Sequence, residues 1–370
     1  MSVLAIILGV TIVLAVVADL VNTLVTTTTS QWRWWLTRII YRRTWAVTQA
    51  VGHRIKDDRR RERFYSIYGP LTVLGMLLAW VTQQIIGFGL IWWGIGGVNG
   101  VESLFDAIYY SGVVFFTVGF GEVVPANQVP RFGALIEAFT GVLTTALVIG
   151  YLPALYSAYS EREQKLLTLD DGTEERITPT NLVLSRCPDG NAERMDGFFS
   201  DWELWIAQVM ETHTTFPMLT LFRSQHLGQS WITALGLVTD AALHMELIEG
   251  QQGGPAYWTY RRSARLMQEL CEGVDLSPYR RQLDEGYAAD PVVFRQLYDA
   301  MGEHGFPMLP FDEAFARSQA IRRTYDAQLE YLIDALDAPR GFWGHVIGHS
   351  LEAPTHIEAG AERWTGLRQD

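Results

Sequence analysis

Cysteine is nearly absent from this chain. Its 370 residues hold two, Cys187 and Cys271, and no CxxC pair. There is no disulfide framework to read, and two lone thiols are most simply reduced, buried and inert. No glycine-rich phosphate loop follows a strand, so no nucleotide-binding domain is visible. None of the apolar runs carries spaced arginines, so strong voltage sensing is not expected. Basic charge is scarce in the second half. Residues 160–370 hold 18 Lys and Arg against 33 Asp and Glu, a net of −15, whereas residues 1–159 hold 11 against 8, a net of +3. An acidic soluble half argues against nucleic acid as a partner and is compatible with a region that draws cations nearby. The chain is read as a non-enzyme without cofactors.

Long apolar runs are present, and all lie before residue 160. The first, Val3 to Val25, is long enough to cross ~30 Å of hydrocarbon at ~1.5 Å per residue. A secretory signal would want basic residues ahead of its apolar core, and none stand there, so a retained span is expected. Asp19 and Asn22 lie toward its second end, and a carboxylate at such a depth faces protein or water. The second run is Ile67 to Trp93 and the third Phe132 to Tyr156. Between the first two lies a basic, tryptophan-rich segment, 31–65, with Trp32, Trp34, Trp35 and Trp45 and ten Lys and Arg from Arg33 to Arg63. It belongs on the cytoplasmic side. It is either a headgroup-level helix touching anionic lipid over 31–63 or a topology signal alone. Alternation then sets the N-terminus outside, residues 94–131 outside, and everything after Tyr159 in the cytoplasm of a multi-pass protein of the cell (inner) membrane.

The external segment is too apolar for a plain loop. "ESLFDAIYYSGVVFF" predicts a helix of about four turns, with Glu102 and Asp106 near its start, where acids suit the helix dipole. "TVGFG" comes next, and the third span begins soon after. That order describes a re-entrant loop, tolerated at membrane depth only where it is buried in protein or lines water. Gly119 and Gly121 take positive φ as readily as negative. Alternating with Val118 and Phe120, they let successive carbonyls turn to one side, where such a row can replace the water around a cation. Thr117 adds a hydroxyl at the inner end, and Val118 and Phe120 would brace the row against the preceding helix.

The "TVGFG" stretch resembles the potassium-channel filter, usually written TVGYG. The likeness takes in the aromatic helix before it, the acid and proline after it, Gly141 in the next span and Pro153 near that span's cytoplasmic end, covering roughly residues 67–158. The resemblance implies a bacterial pore-loop potassium channel. It would be an all-α membrane protein whose pore module (span, pore helix, filter, span; 66–159) is preceded by one extra span (1–30) and the basic segment (31–65). A linker (160–199) and an all-helical cytoplasmic domain (200–370) would complete it. It also implies a homotetramer with potassium ions passing along Thr117, Val118, Gly119, Phe120 and Gly121. Phe120 lacks the usual tyrosine hydroxyl, Glu122 replaces an aspartate, and Val114 stands where a second threonine is common.

Glu122 would ring the outer mouth or bond behind the filter. Glu137, inside the third span, either supports the filter by bonding the back of the pore helix or filter, at Tyr110 or a backbone amide, or is a protonated, structurally satisfied glutamate. Gly141 and Pro153 are natural bending points, read as a hinge and a gate or as relief of packing. An alternative to a channel is a membrane-bound sensor or signalling protein with a vestigial or non-selective cation pore.

In the cytoplasmic half, "KLLTLDDGTEERIT" reads as two short strands or a linker. Five to seven helices come after it, with Pro255, Pro278 and Pro291 at first helical positions. "FDEAFARSQAIRRTYDAQLEYLIDAL" predicts one long helix with Phe311, Phe315, Tyr325, Leu329, Leu332 and Leu336 along a stripe. His226, Asp240 and His244 are read as core or surface residues. His345, His349, Glu352 and His356 have a spacing that could hold a divalent metal, or mark a surface turn.

Overall fold

The computed structural model describes residues 2–24, 35–169, 177–224, 230–273 and 290–339. Almost all of it is helix, and it divides into two compact units. Unit 1 holds Met1–Tyr159 with Thr214–Phe222, and unit 2 holds Ser160–His213 with Arg223–Asp370.

Unit 1 is built on α1 (Val3–Leu24), α2 (Trp35–Gly52), α3 (Asp58–Ile95), α4 (Leu104–Phe115) and α5 (Gln128–Leu166), the last running on into unit 2. Helices α1, α3 and α5 are each long and apolar enough to cross a membrane. The expected spans are thus present, and two of them outrun it. At 38 and 39 residues, α3 and α5 have more than ten turns each, about twice what ~30 Å of hydrocarbon needs. The start of α3 explains its extension. Asp57 caps it by accepting from the Arg60 amide at 3.0 Å, and the charged turn behind the cap suits water rather than lipid.

Helix α1 lies along α3. Gly9 and Gly87 meet there with no room for a side chain, since a methyl on Gly9 would collide with the Gly87 carbonyl and one on Gly87 would lie 2.8 Å from Val13. Val16 and Leu20 pack lower down with Val73, Met76, Leu77 and Trp80. Asp19 has its partner here: the Trp80 indole donates to its Oδ2 at 2.8 Å, and both residues are buried. A buried carboxylate therefore ties α1 to α3. Helix α2 packs by Trp45, whose ring lies 5.6 Å from Tyr65 and 4.9 Å from Tyr68 at the start of α3. Part of the tryptophan-rich segment thus serves an aromatic contact within the protein.

The short turn Pro217–Leu221 belongs to unit 1, where Met218 and Leu219 pack with Tyr151, Leu155 and Tyr159 of α5. On α5 the inward positions are 137, 141, 144, 151, 155 and 158, all buried and spaced by three, four or seven, while Leu135, Phe139, Val142, Leu143, Ile149 and Leu152 are exposed. One face of α5 is therefore spent within the chain and the other is not.

Unit 2 contains seven further helices among the described residues: α6 (Pro179–Arg186), α7 (Asp196–Thr215, whose last two residues lie in unit 1), α8 (Trp231–Met245), α9 (Pro255–Gly273), α10 (Pro291–Glu303), α11 (Phe311–Arg322) and α12 (Asp326–Ala335). Every residue of α8 is buried, with α6, α9, α11 and α12 packed around it. Pro255 and Pro291 open helices as expected, the latter behind Asp290, which accepts from the Val292 amide at 2.8 Å; Pro278 lies outside the described residues.

Two expectations are corrected. The stretch from Lys165 to Leu169 finishes α5 and makes a short 3-10 turn rather than a strand, while 170–176 lie outside the described residues. The described residues of 160–199 hold the end of α5, helix α6, a 3-10 turn at Ala192–Met195 and the start of α7. The single long helix expected over 311–336 is two, broken at Arg323–Tyr325. A buried polar cluster flanks the break. The Arg322 Nη2 donates to Asp240 of α8 at 2.8 Å and its Nε to Asp326 at 3.1 Å, and the Tyr325 hydroxyl also donates to Asp240.

Candidate functional site

The site begins with a well-started helix. Ser103 caps α4, its hydroxyl accepting from the Asp106 amide at 3.2 Å while Asp106 accepts from the Ser103 amide at 2.8 Å. This reciprocal pair satisfies the free donors of the first turn. At the other end the Phe116 amide reaches Gly112 at 3.0 Å, and the amides of Thr117 and Val118 return to Val114 and Val113 at 2.9 Å. There the helix stops.

The backbone beyond this stop is irregular in a regular way. Thr117, Gly119 and Gly121 have φ of 55°, 57° and 91°, whereas Val118 and Phe120 stay on the negative side. Left-handed backbone costs a non-glycine residue about 1 kcal/mol or more, so Thr117 is held there by its surroundings. The far end of the turn is pinned by a two-residue antiparallel ladder, Val98 with Pro125 and Asn99 with Val124, and by the Ala126 amide donating to Gly97 at 2.8 Å. A capped helix thus fixes one end of the "TVGFG" segment, and a short ladder to the end of α3 fixes the other.

The side chains of this segment are unspent. Val118 is 50% exposed and Phe120 71% within the single chain. Glu122 is directed to α4, where the Tyr109 hydroxyl donates to its Oε1 at 2.7 Å.

Behind α4 lies a closed polar contact between three helices. Glu137 of α5 is fully buried, accepting from the Trp92 indole of α3 at 2.6 Å and lying against the Ser111 hydroxyl of α4. Ser111 also reaches the Ile85 carbonyl of α3 at 2.9 Å. The expected partner Tyr110 is a neighbour but not a hydrogen-bonding one. Its ring stands edge-on to Trp92 at 5.8 Å, and its hydroxyl has no partner. The reason is angular: residue 111, one step round the helix from 110, is the position that faces α5. Gly141 sits one turn below Glu137, where a methyl would collide with the Phe115 carbonyl at the end of α4. Another turn on, Gln84 of α3 donates to Thr144 at 3.1 Å. Glu137, Gly141 and Thr144 form one stripe holding α5 to α4 and α3. Pro153 lies inside α5, which continues unbroken past it to Leu166.

Ser111, Trp92 and Tyr109 were not singled out from the sequence. The signal for the first was a lone hydroxyl among apolar residues, and for the second the "IWW" end of a span. The metal-spaced residues His345, His349, Glu352 and His356, and also His226, lie outside the described residues. Among the described residues no group of three or more His, Cys, Asp or Glu could hold a metal.

A family model described as "Ion channel" matches residues 75–157, from the middle of α3 to a point just beyond Pro153 in α5. Over this stretch the chain is similar to ion channels. The chain is 26% identical over 102 residues to a voltage-gated potassium channel of Aeropyrum pernix, covering 28% of this chain and 32% of that one. It is 26% identical over 186 residues to an uncharacterized membrane protein, YdjJ, of Bacillus subtilis (strain 168), covering 48% of this chain and 52% of that one. Protein LctB of Bacillus caldotenax is 27% identical over 120 residues, 28% of this chain and 78% of that protein. The chain thus spans about half the length of YdjJ and about a third of the potassium channel. No solved structure matches.

Proposed function

We propose that this protein is a potassium-selective channel. About four copies surround one axis, and potassium passes passively along the main-chain oxygens of residues 117–121. The observation that carries this reading is the alternation of positive and negative φ from Thr117 to Gly121, fixed at both ends. Such alternation turns successive carbonyls toward one side, and several copies together can supply what a cation loses on shedding water.

The unspent surfaces support the same arrangement. Exposed Val118 and Phe120, and the bare face of α5, suit contact with neighbouring copies and lipid rather than water. Glu122, steadied by Tyr109, stands just beyond the filter, where a ring of carboxylates would raise the local cation concentration. The α5 helices would converge near Pro153 as a gate. The excess of arginine over 31–63 sets that segment in the cytoplasm, against anionic lipid, with the N-terminus outside and the acidic unit 2 inside.

The test is flux. Full-length protein reconstituted into liposomes should release potassium, be blocked by barium, and run as an assembly of about four chains by mass. A monomer, or a potassium leak insensitive to barium, contradicts the proposal.

A further inference from the structure

Four groups at the back of α4 lie in one line of hydrogen bonds: the Trp92 indole, the Glu137 carboxyl, the Ser111 hydroxyl and the Ile85 carbonyl. Their hydrogens can be counted. Trp92 brings one, and its only use is toward Glu137 Oε2 at 2.6 Å. Ser111 brings one, yet its oxygen sits against two acceptors, Glu137 Oε1 on one side and the Ile85 oxygen at 2.9 Å on the other. If Glu137 is ionised, that single hydrogen must serve both contacts. One pair of oxygens then faces lone pair to lone pair at bonding distance.

A second count points the same way. Glu137, Ser111 and Trp92 are 0%, 0% and 2% exposed. Among the described residues no Arg or Lys pairs with Glu137, whose polar contacts are Trp92 and Ser111 alone. A carboxylate so enclosed, with no cation and two neutral donors at most, is heavily penalised.

We infer that Glu137 carries a proton on Oε1 and donates it to Ser111, which donates in turn to the Ile85 carbonyl. Every hydrogen is then used once and every contact is a bond: Trp92 to Glu137, Glu137 to Ser111, Ser111 to Ile85. The line runs from α3 through α5 and α4 back to α3. It locks the pore helix between the other two from a point six residues before Thr117. Glu137 is thus a positioning residue, acting on the filter through Ser111 as a neutral acid and not as a charge. This consequence for the filter rests on the proposed channel function, whereas the proton itself does not.

The experiment separates the two. Infrared difference spectra of the purified full chain at neutral pH, wild type minus Glu137→Gln, should show the carbonyl band of a hydrogen-bonded carboxylic acid. The Ser111→Ala protein should keep an acid band, shifted toward that of an acid with no acceptor. Absence of any protonated-acid band, or a carboxylate pair in its place, overturns the inference whether or not the protein conducts. In liposomes Glu137→Gln, whose amide can donate to Ser111 and accept from Trp92, should hold potassium flux within about twofold of wild type, while Glu137→Ala, which leaves the Trp92 N–H without its acceptor and cuts the link to Ser111, should lose about tenfold or more. A glutamine variant as impaired as the alanine one, with its assembly intact, overturns the positioning role.

Discussion

At the scale of single residues, Gly141 shows how a sequence feature can be right in place and different in cause. A glycine in the middle of an inner helix reads as a hinge. In the structure it is first a place of contact, because the Phe115 carbonyl occupies the space a methyl would need. Gly141→Ala is therefore expected to destabilise unit 1 by about 1–3 kcal/mol through overpacking, before any bending is asked of it. Thermal unfolding of the assembled protein checks this. Melting unchanged from wild type together with altered opening would favour the hinge instead. The same distinction explains what was legible here. The backbone of "TVGFG" was readable because its signal is local, glycine at two of the positions where φ is positive. The partners of Glu137 were not, because Trp92 and Ser111 are 45 and 26 residues away and only helix packing brings them together.

At the scale of elements, the apolar runs announced α1, α3 and α5 but not how long the last two are, since their extensions are charged and carry no hydropathy signal. Acidic residues near Glu102 announced the start of α4, and the Ser103–Asp106 cap shows why. The break between α11 and α12 was not legible, for one apolar stripe from Phe311 to Leu336 continues through it. The extra span makes a prediction of its own. Gly9→Leu should force α1 away from Gly87 and cost about 2 kcal/mol or more, an effect read as earlier melting of the assembly. If the variant melts with wild type, the α1–α3 contact does not hold unit 1 together.

At the scale of the whole molecule, unit 2 carries a pH dependence that its burial dictates. His213 and His244 are enclosed. Burial, with Arg162 beside the one and Arg322 near the other, lowers their pKa from 6.5 to about 3 and about 4. The unfolded chain takes up these protons below pH 6.5 and the folded chain does not, so stability falls as pH drops through 6.5 and continues falling to about 4 for His244 and about 3 for His213. Asp326 works the other way, since burial raises its pKa from 3.8 to about 6. Its contribution is present below 3.8 and lost as pH rises through 6, so between those values it opposes the loss from the two histidines. Tryptophan fluorescence of the purified chain in denaturant should show this, and His244→Leu should flatten the curve between pH 6.5 and 4. A slope unchanged in that variant would mean that His244 is reached by protons without unfolding.

The central claim is that the backbone from Thr117 to Gly121, shared among several copies, conducts potassium in preference to sodium. Planar-bilayer recording of the purified full chain, with potassium on one side and sodium on the other, tests it most directly. The account predicts a reversal potential far toward the potassium equilibrium value, and its loss, or the loss of current altogether, in Gly119→Ala, where a side chain must take positive φ. A reversal potential near zero, or a Gly119→Ala current indistinguishable from wild type, would contradict it.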